Sequence, residues 1–234
     1  MHPSPPRPSP PRPTAPPAGP PHARRPPTDA PQTPTRTPPR LVPELIAAPA
    51  RVPGLGEAAF ARRRATVALS RELTAGMRLD GRPAAHGDLA AAGLSLHRAW
   101  LAACETLLAA ARTEYGLRFL TRPATRLCPD APPGALQVAV HGGTDPTAWL
   151  AHPRTFAVLH AHLHRLTRAT PRYVAPRRGV LVATSEIGAH ALGDWARAEA
   201  HAAGKTALSG RFIEYARGFP RLVSGHAAAV ATSL

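Results

Sequence analysis

Apolar side chains are spread unevenly along the 234-residue chain, and their spacing predicts its elements. Residues 1–40 contain no Val, Ile, Leu, Phe, Tyr or Trp. A segment with nothing to bury cannot offset the entropy of ordering its own backbone, so it reads as a disordered arm of polyproline-II character. Apolar residues return at Leu41-Val42 and Leu45-Ile46, but Pro43, Pro49 and Pro53 interrupt them. That stretch predicts an irregular strap lying on the domain, reaching residue 54. From Glu57 to Met77, Ala61, Ala65, Leu69, Leu73 and Met77 fall at every fourth position and predict a helix. Arg62, Arg63, Arg64 and Arg71 project mainly from its other faces, and Asp80-Gly81-Arg82-Pro83 marks a turn.

Further on, Asp88 to Ala92 predicts a short helix stopped by Gly93. Ser95 is a good N-cap for a long helix from Leu96 to Tyr115, with Gly116 as its left-handed C-cap. Leu96, Ala99, Trp100, Ala103 and Leu107 make the buried stripe of that helix. The period then changes to two: Leu117, Phe119 and Thr121 alternate with Arg118, Leu120 and Arg122, the pattern of a strand. A Pro-rich loop over 123–134 leads to a second strand, Leu136, Val138 and Val140, which ends at Gly142-Gly143. Asp145 caps a helix that Pro153 breaks or kinks, followed by an apolar stripe of Phe156, Leu159, Leu163 and Leu166. Pro171-Arg172-Tyr173 reads as a connector, Val180 to Ala183 as a short strand, and Ser185 as the cap of a helix to Ala203. A weak helical turn covers Arg211–Arg217. Together these predict an α/β or α+β fold, a single small domain over residues 55–220 with a three- to four-stranded sheet flanked by helices. Its last β-α-β unit is expected to cross over between parallel strands. A disordered Pro-rich arm and strap, 1–54, precede the domain, and a frayed Ala-rich tail, 221–234, follows it.

Composition alters this picture in three ways. Of the 29 basic residues 28 are Arg, with Lys205 the exception, Asn is absent, and Ala occurs 48 times. GC-rich codons favour this usage, so arginine in place of lysine carries little functional meaning and points to a GC-rich source. The arm carries six Arg against one Asp, leaving a charge of +10 on residues 41–234, so the basic character is not confined to the arm. No run of roughly 18 apolar residues occurs, so no transmembrane span is expected, and the N-terminus lacks the apolar core of a secretory signal. Two cysteines, Cys104 and Cys128, are too few for a disulfide scaffold or a four-Cys zinc site.

Candidate chemistry follows from the strand ends. If the strands ending at His141 and Thr184 are parallel neighbours, Gly142, Gly143, Thr144 and Ser185 meet where open α/β sheets bind ligands, and form an anion-binding candidate. His160, His162 and His164 lack the acid of a metalloprotease motif and lie beside Arg165 and Arg168, so they read as an exposed histidine row with no metal. Gly204-Lys205-Thr206 resembles the end of a phosphate loop, but Glu199 stands where its first Gly belongs. Leu89 to Ser95 hints at a helix-turn-helix, with mostly apolar residues opening the second helix. Cys128 is a candidate reactive thiol without a nameable base, and no catalytic residue is assigned. In the arm, Ser4, Ser9, Thr33 and Thr37 each precede Pro and are phosphorylation candidates. Arg24, Arg25, Arg62, Arg63 and Arg64 are candidates for nuclear import or nucleic-acid contact.

The order of elements from Leu89 to Glu186 resembles the core of the small nuclear phosphoprotein family of alphaherpesviruses. The matching residues are Thr121-Arg122, Leu136-Gln137, Arg168, Pro171-Arg172-Tyr173 and the strand Val180–Ala183 with Glu186. The resemblance implies a non-enzymatic phosphoprotein of the host nucleus that acts through other regulatory proteins, or through nucleic acid by its Arg clusters, with no cofactor. One alternative is a DNA-binding regulator from a GC-rich bacterium or plasmid, which would place the protein in the cytoplasm. A second is an α/β enzyme binding an anionic substrate at the strand ends.

Overall fold

Strands and helices alternate along the chain in a computed structural model, which describes residues 40–48, 57–186 and 189–223. The first half contains β1 (Leu41–Ala47), α1 (Glu57–Arg62), β2 (Thr66–Ala68), β3 (Leu73–Leu79), β4 (Arg82–Pro83), α2 (His86–Ala91) and α3 (Leu96–Ala110). A small hairpin, β5 (Arg112–Thr113) and β6 (Gly116–Leu117), leads to β7 (Phe119–Pro123), β8 (Leu136–Val140) and α4 (Pro153–Thr167). The chain continues as β9 (Arg172–Arg177), β10 (Leu181–Thr184), α5 (His190–Ala202), β11 (Ala207–Ala216) and β12 (Phe219–Leu222). One sheet has the order β1-β3-β2, with β4 also on β3, and a six-stranded sheet has the order β12-β11-β9-β10-β8-β7.

The mixed α/β class is the expected one, but the strands are more numerous. Among the described residues every strand pair is antiparallel, so the predicted parallel crossover is absent. The strap is instead a strand: β1 pairs along the whole of β3, from Leu41 opposite Leu79 to Ala47 opposite Leu73. The helix expected over 57–77 stops at Arg62 and gives way to β2 and β3. A spacing of four is also a multiple of two, so Leu73 and Met77 share one buried face of a strand, and Ala75 between them is buried too. The Pro171-Arg172-Tyr173 connector opens β9, and Arg211–Arg217, expected as a helical turn, lies mostly in β11. Arg217 and Gly218, both at positive φ, make the two-residue turn into β12.

Helix α3 begins as expected, with the Ser95 hydroxyl accepting from Arg98 N at 3.3 Å, but ends at Ala110. Gly116 belongs to the small hairpin and is not the cap. Ala99, Ala103 and Leu107 of the predicted stripe are fully buried, while Trp100 is half-buried and donates its indole N–H to Ala151 O at 2.9 Å. The cap of α5 is Ala189, so Ser185 does not cap it.

The six-stranded sheet is covered on both faces, which explains why β9 and β10 are apolar almost throughout. Tyr173, Ala175, Leu181, Ala183 and Ile213 join Trp149, Phe156, Leu159 and Leu163 in one core, together with Leu45, Leu73 and Ala75 of the first sheet. Val174 and Val182 pack on the other face with Leu192 and Ala196 of α5. A third cluster seats α2 and α3 on the first sheet through Leu41, Met77, Leu79, Leu89, Ala99 and Ala103.

Pro153 does not kink a continuous helix. Asp145 caps a 3-10 segment, Pro146–Ala151, by accepting from Thr147 N at 2.8 Å, and α4 starts afresh with Pro153 in its first turn. The cap of α4 is His152, 5% exposed, whose Nδ1 accepts from Arg154 N at 3.1 Å. Burial, followed by the Arg154 charge, lowers the pKa of this imidazole below its usual 6.5. A protonated ring also has no acceptor for the cap. The unfolded chain therefore binds more protons than the native one as pH falls through 6.5 and below, so this contribution to stability is present above 6.5 and is lost on acidification. Melting temperature is expected to fall as pH drops from about 7 toward about 5.5. His152→Asn, which keeps an acceptor and cannot titrate, should show a smaller fall when melting curves are recorded across that range. An unchanged slope would show that the pH dependence arises elsewhere.

Candidate functional site

Antiparallel partners that lie opposite one another point to the same side of a sheet, and in the first sheet this gathers an unusual set of residues. Glu44 is opposite Gly76, which is opposite Thr66, while Ile46 is opposite Thr74, which is opposite Ala68. The alternate residues of β3, Leu73, Ala75, Met77 and Leu79, fill the core. The Glu44 face is thereby left to carry polar chemistry.

Glu44 is 2% exposed and is held by three guanidinium groups. Arg64 and Arg178 bond to its two carboxylate oxygens, Arg178 at 2.7 Å, and Arg78 lies 3.7 Å from Oε2. Arg64 reaches it across Gly76, where an added Cβ would come within 3.1 Å of Arg64 Nε and 3.3 Å of Glu44 Cγ. The arginines arrive from separate segments. Arg64 precedes β2, in a stretch where Ala65 N donates to Ala84 O and His86 N to Arg63 O. Arg178 lies in the turn between β9 and β10, and its N–H donates to Thr206 O at 3.1 Å, which brings Gly204-Lys205-Thr206 alongside.

Above this face lies a cavity of about 900 Å³, within the range of small-molecule sites. Arg63, Arg64, Arg71, Arg178 and Lys205 line it, and among the described residues no carboxylate does. Ile46, Phe60, Ala68 and Leu208 give it apolar walls, and Phe60 stacks on His86 with ring centroids 4.2 Å apart. Burial, and then the Arg63 charge, lower the His86 pKa, which favours a neutral imidazole here. Thr74 and Ser70 are also among its lining residues, although their hydroxyl oxygens, like Arg64 Nε, are sealed from solvent and have no hydrogen-bond partner among the described residues.

The residues predicted for anion binding are not brought together. Because β8 and β10 are antiparallel, with Leu181 opposite Val138, their carboxyl ends point to opposite ends of the sheet, separating Gly142, Gly143 and Thr144 from Ser185. Gly142 (φ 80°) has a packing role: an added Cβ would lie 2.6 Å from Ala110 O at the end of α3. Gly143 lines a second, smaller hollow with Arg78 and Arg178, but Glu44 and Asp145 line it as well.

The basic triplet is divided by its environment. Arg62 is exposed, whereas Arg63 and Arg64 are half-buried in the cavity wall. Ser4, Ser9, Arg24, Arg25, Thr33 and Thr37 lie outside the described residues. Helix α3 turns its buried side to the first sheet and presents Arg98 with His97, Leu101 and Glu105 outward.

His160 and His162, expected to be exposed, are half-buried. His160 Nδ1 lies 3.0 Å from the Tyr173 hydroxyl, His164 Nδ1 3.0 Å from Ala169 O, and His162 packs on Phe119. Among the described residues no group of three or more His, Cys, Asp or Glu has metal-holding geometry. Cys128 is 3% exposed and burial raises its thiol pKa, which disfavours the thiolate. Cys104 is buried in α3 and is pushed up to about 11. Sequence reasoning missed Glu44, Phe60, Thr74 and Arg178, and set Lys205 aside. No local motif joins them, since Arg178 and Glu44 are 134 positions apart.

No protein-family model matches the chain, and no curated protein or solved structure matches it either. The functional reading therefore rests on the chemistry of a mixed α/β domain with a cationic cavity over its smaller sheet.

Removing the charge of Glu44 would leave three guanidinium groups facing one another. Breaking an ion pair around a buried charge typically costs 3–5 kcal/mol, and because these arginines are about one-third exposed the lower end applies. Glu44→Gln is expected to destabilise the fold by about 3 kcal/mol in urea unfolding. A loss below about 1 kcal/mol would show that solvent screens the cluster.

Proposed function

We propose that this chain is a non-enzymatic regulatory protein that works by binding, and that the cationic cavity receives an anionic partner. The observation that supports this reading is a cavity of about 900 Å³ lined, among the described residues, by five basic side chains and no carboxylate. Glu44 beneath it offsets one charge of the three arginines it holds, so the region keeps a positive excess. Arginine stays charged at every physiological pH and offers a fork of N–H donors, which suits it to holding an anion and not to transferring protons.

The test is a titration with tripolyphosphate in about 50 mM and about 200 mM salt, on the wild type and on Arg71→Glu/Lys205→Glu. Both residues are exposed, so the variant is expected to fold. Wild-type binding should weaken with salt and fall about tenfold or more in the variant. Absent binding, or equal binding by the two proteins, would refute the reading.

Placement in the host nucleus, implied by the alphaherpesvirus resemblance, is a companion proposal that uses the surface arginines. Arg64 is committed to Glu44, so the informative variant is Arg24→Ala/Arg25→Ala/Arg62→Ala in a large reporter fusion expressed in animal cells. The wild-type fusion is expected in the nucleus and the variant in the cytoplasm. A wild-type fusion that stays cytoplasmic would refute it.

A further inference from the structure

We infer that the ligand of the cationic cavity is a nucleoside phosphate, its phosphates held by the basic side chains and its base covered by the apolar wall. This rests on the reading that the cavity binds an anion, and deepens it by asking what else the lining demands. Two features bear on the answer, and they differ in kind.

The first is charge. Arg71, Arg178 and Lys205 come from three different segments and line the same space. Multiple arginines with one ammonium suit a polyvalent phosphate better than a single carboxylate, because guanidinium forks pair with phosphate oxygens two at a time.

The second is the wall. Phe60 is 44% exposed although it stacks on His86, so much of its surface is open in a cavity otherwise bounded by Ile46, Ala68 and Leu208. An inorganic anion leaves that surface wet. A planar heterocycle covers it and adds stacking, which is worth about 1–3 kcal/mol per base on aromatic platforms.

Of an inorganic phosphate, a fatty-acid anion and a nucleoside phosphate, only the last answers both features: an inorganic phosphate leaves the Phe60 surface wet, and a single carboxylate leaves most of the basic side chains unused.

Calorimetric titration of the full chain with ATP, GTP, tripolyphosphate and laurate tests the inference. At least one nucleoside triphosphate should bind about tenfold or more tightly than tripolyphosphate. Phe60→Ala should remove most of that advantage while tripolyphosphate affinity stays within about twofold. Melting curves should confirm that the variant folds. Equal affinity for nucleotide and tripolyphosphate, or tighter binding of laurate, would overturn the nucleoside assignment and leave the anion site standing. Binding by none of the four would overturn both.

Discussion

The arrangement of this domain depends on one buried carboxylate. Glu44 sits in the middle of the first strand, and taking its charge out of water costs several kcal/mol unless partners surround it. Arg64, Arg78 and Arg178 supply those partners. Arg78 is a neighbour in the same sheet, Arg64 crosses over Gly76, and Arg178 reaches in from a turn of the six-stranded sheet. The cluster therefore ties the two sheets together on the polar side, as Leu45, Leu73 and Ala75 do on the apolar side through the shared core. It also determines where the arginines stand, and so where the cavity has its positive charge.

The cavity follows from the arithmetic of antiparallel pairing. Strand β3 alternates between core residues and a face carrying Thr74, Gly76 and Arg78. Gly76 leaves room for Arg64, and what remains of the face lies open beneath α1, α2 and the turn bearing Lys205. Positive charge and an open apolar wall therefore meet on this face.

Several parts of this structure were legible in the sequence. Ser95 capping α3, Asp145 with Pro146 opening the 3-10 segment, and the strand Leu136–Val140 all depend on neighbours within a few residues. The mixed α/β class also follows from local periodicity. Errors arose where one pattern serves two structures. Leu73 and Met77 satisfy a helical repeat and a strand repeat alike, and only the partner strand β1 decides between them. Pro43 made a strap of what is a strand, although an edge position tolerates a missing N–H.

The candidate site was almost wholly illegible, for a physical reason. By itself the amino-acid sequence determined a basic chain, an arm without Val, Ile, Leu, Phe, Tyr or Trp, the Ser95 cap of α3 and the existence of alternating strands, because composition and short-range spacing are properties of neighbouring residues. Which strands pair, and in which direction, was decided by tertiary structure, since both faces of the six-stranded sheet had to be covered at once. That choice sent Ser185 away from Gly142 and Gly143, and it drew Arg178 to Glu44 across 134 positions of chain. Charges that remote in sequence carry no mutual spacing to be read; they meet only because a buried carboxylate needs them there.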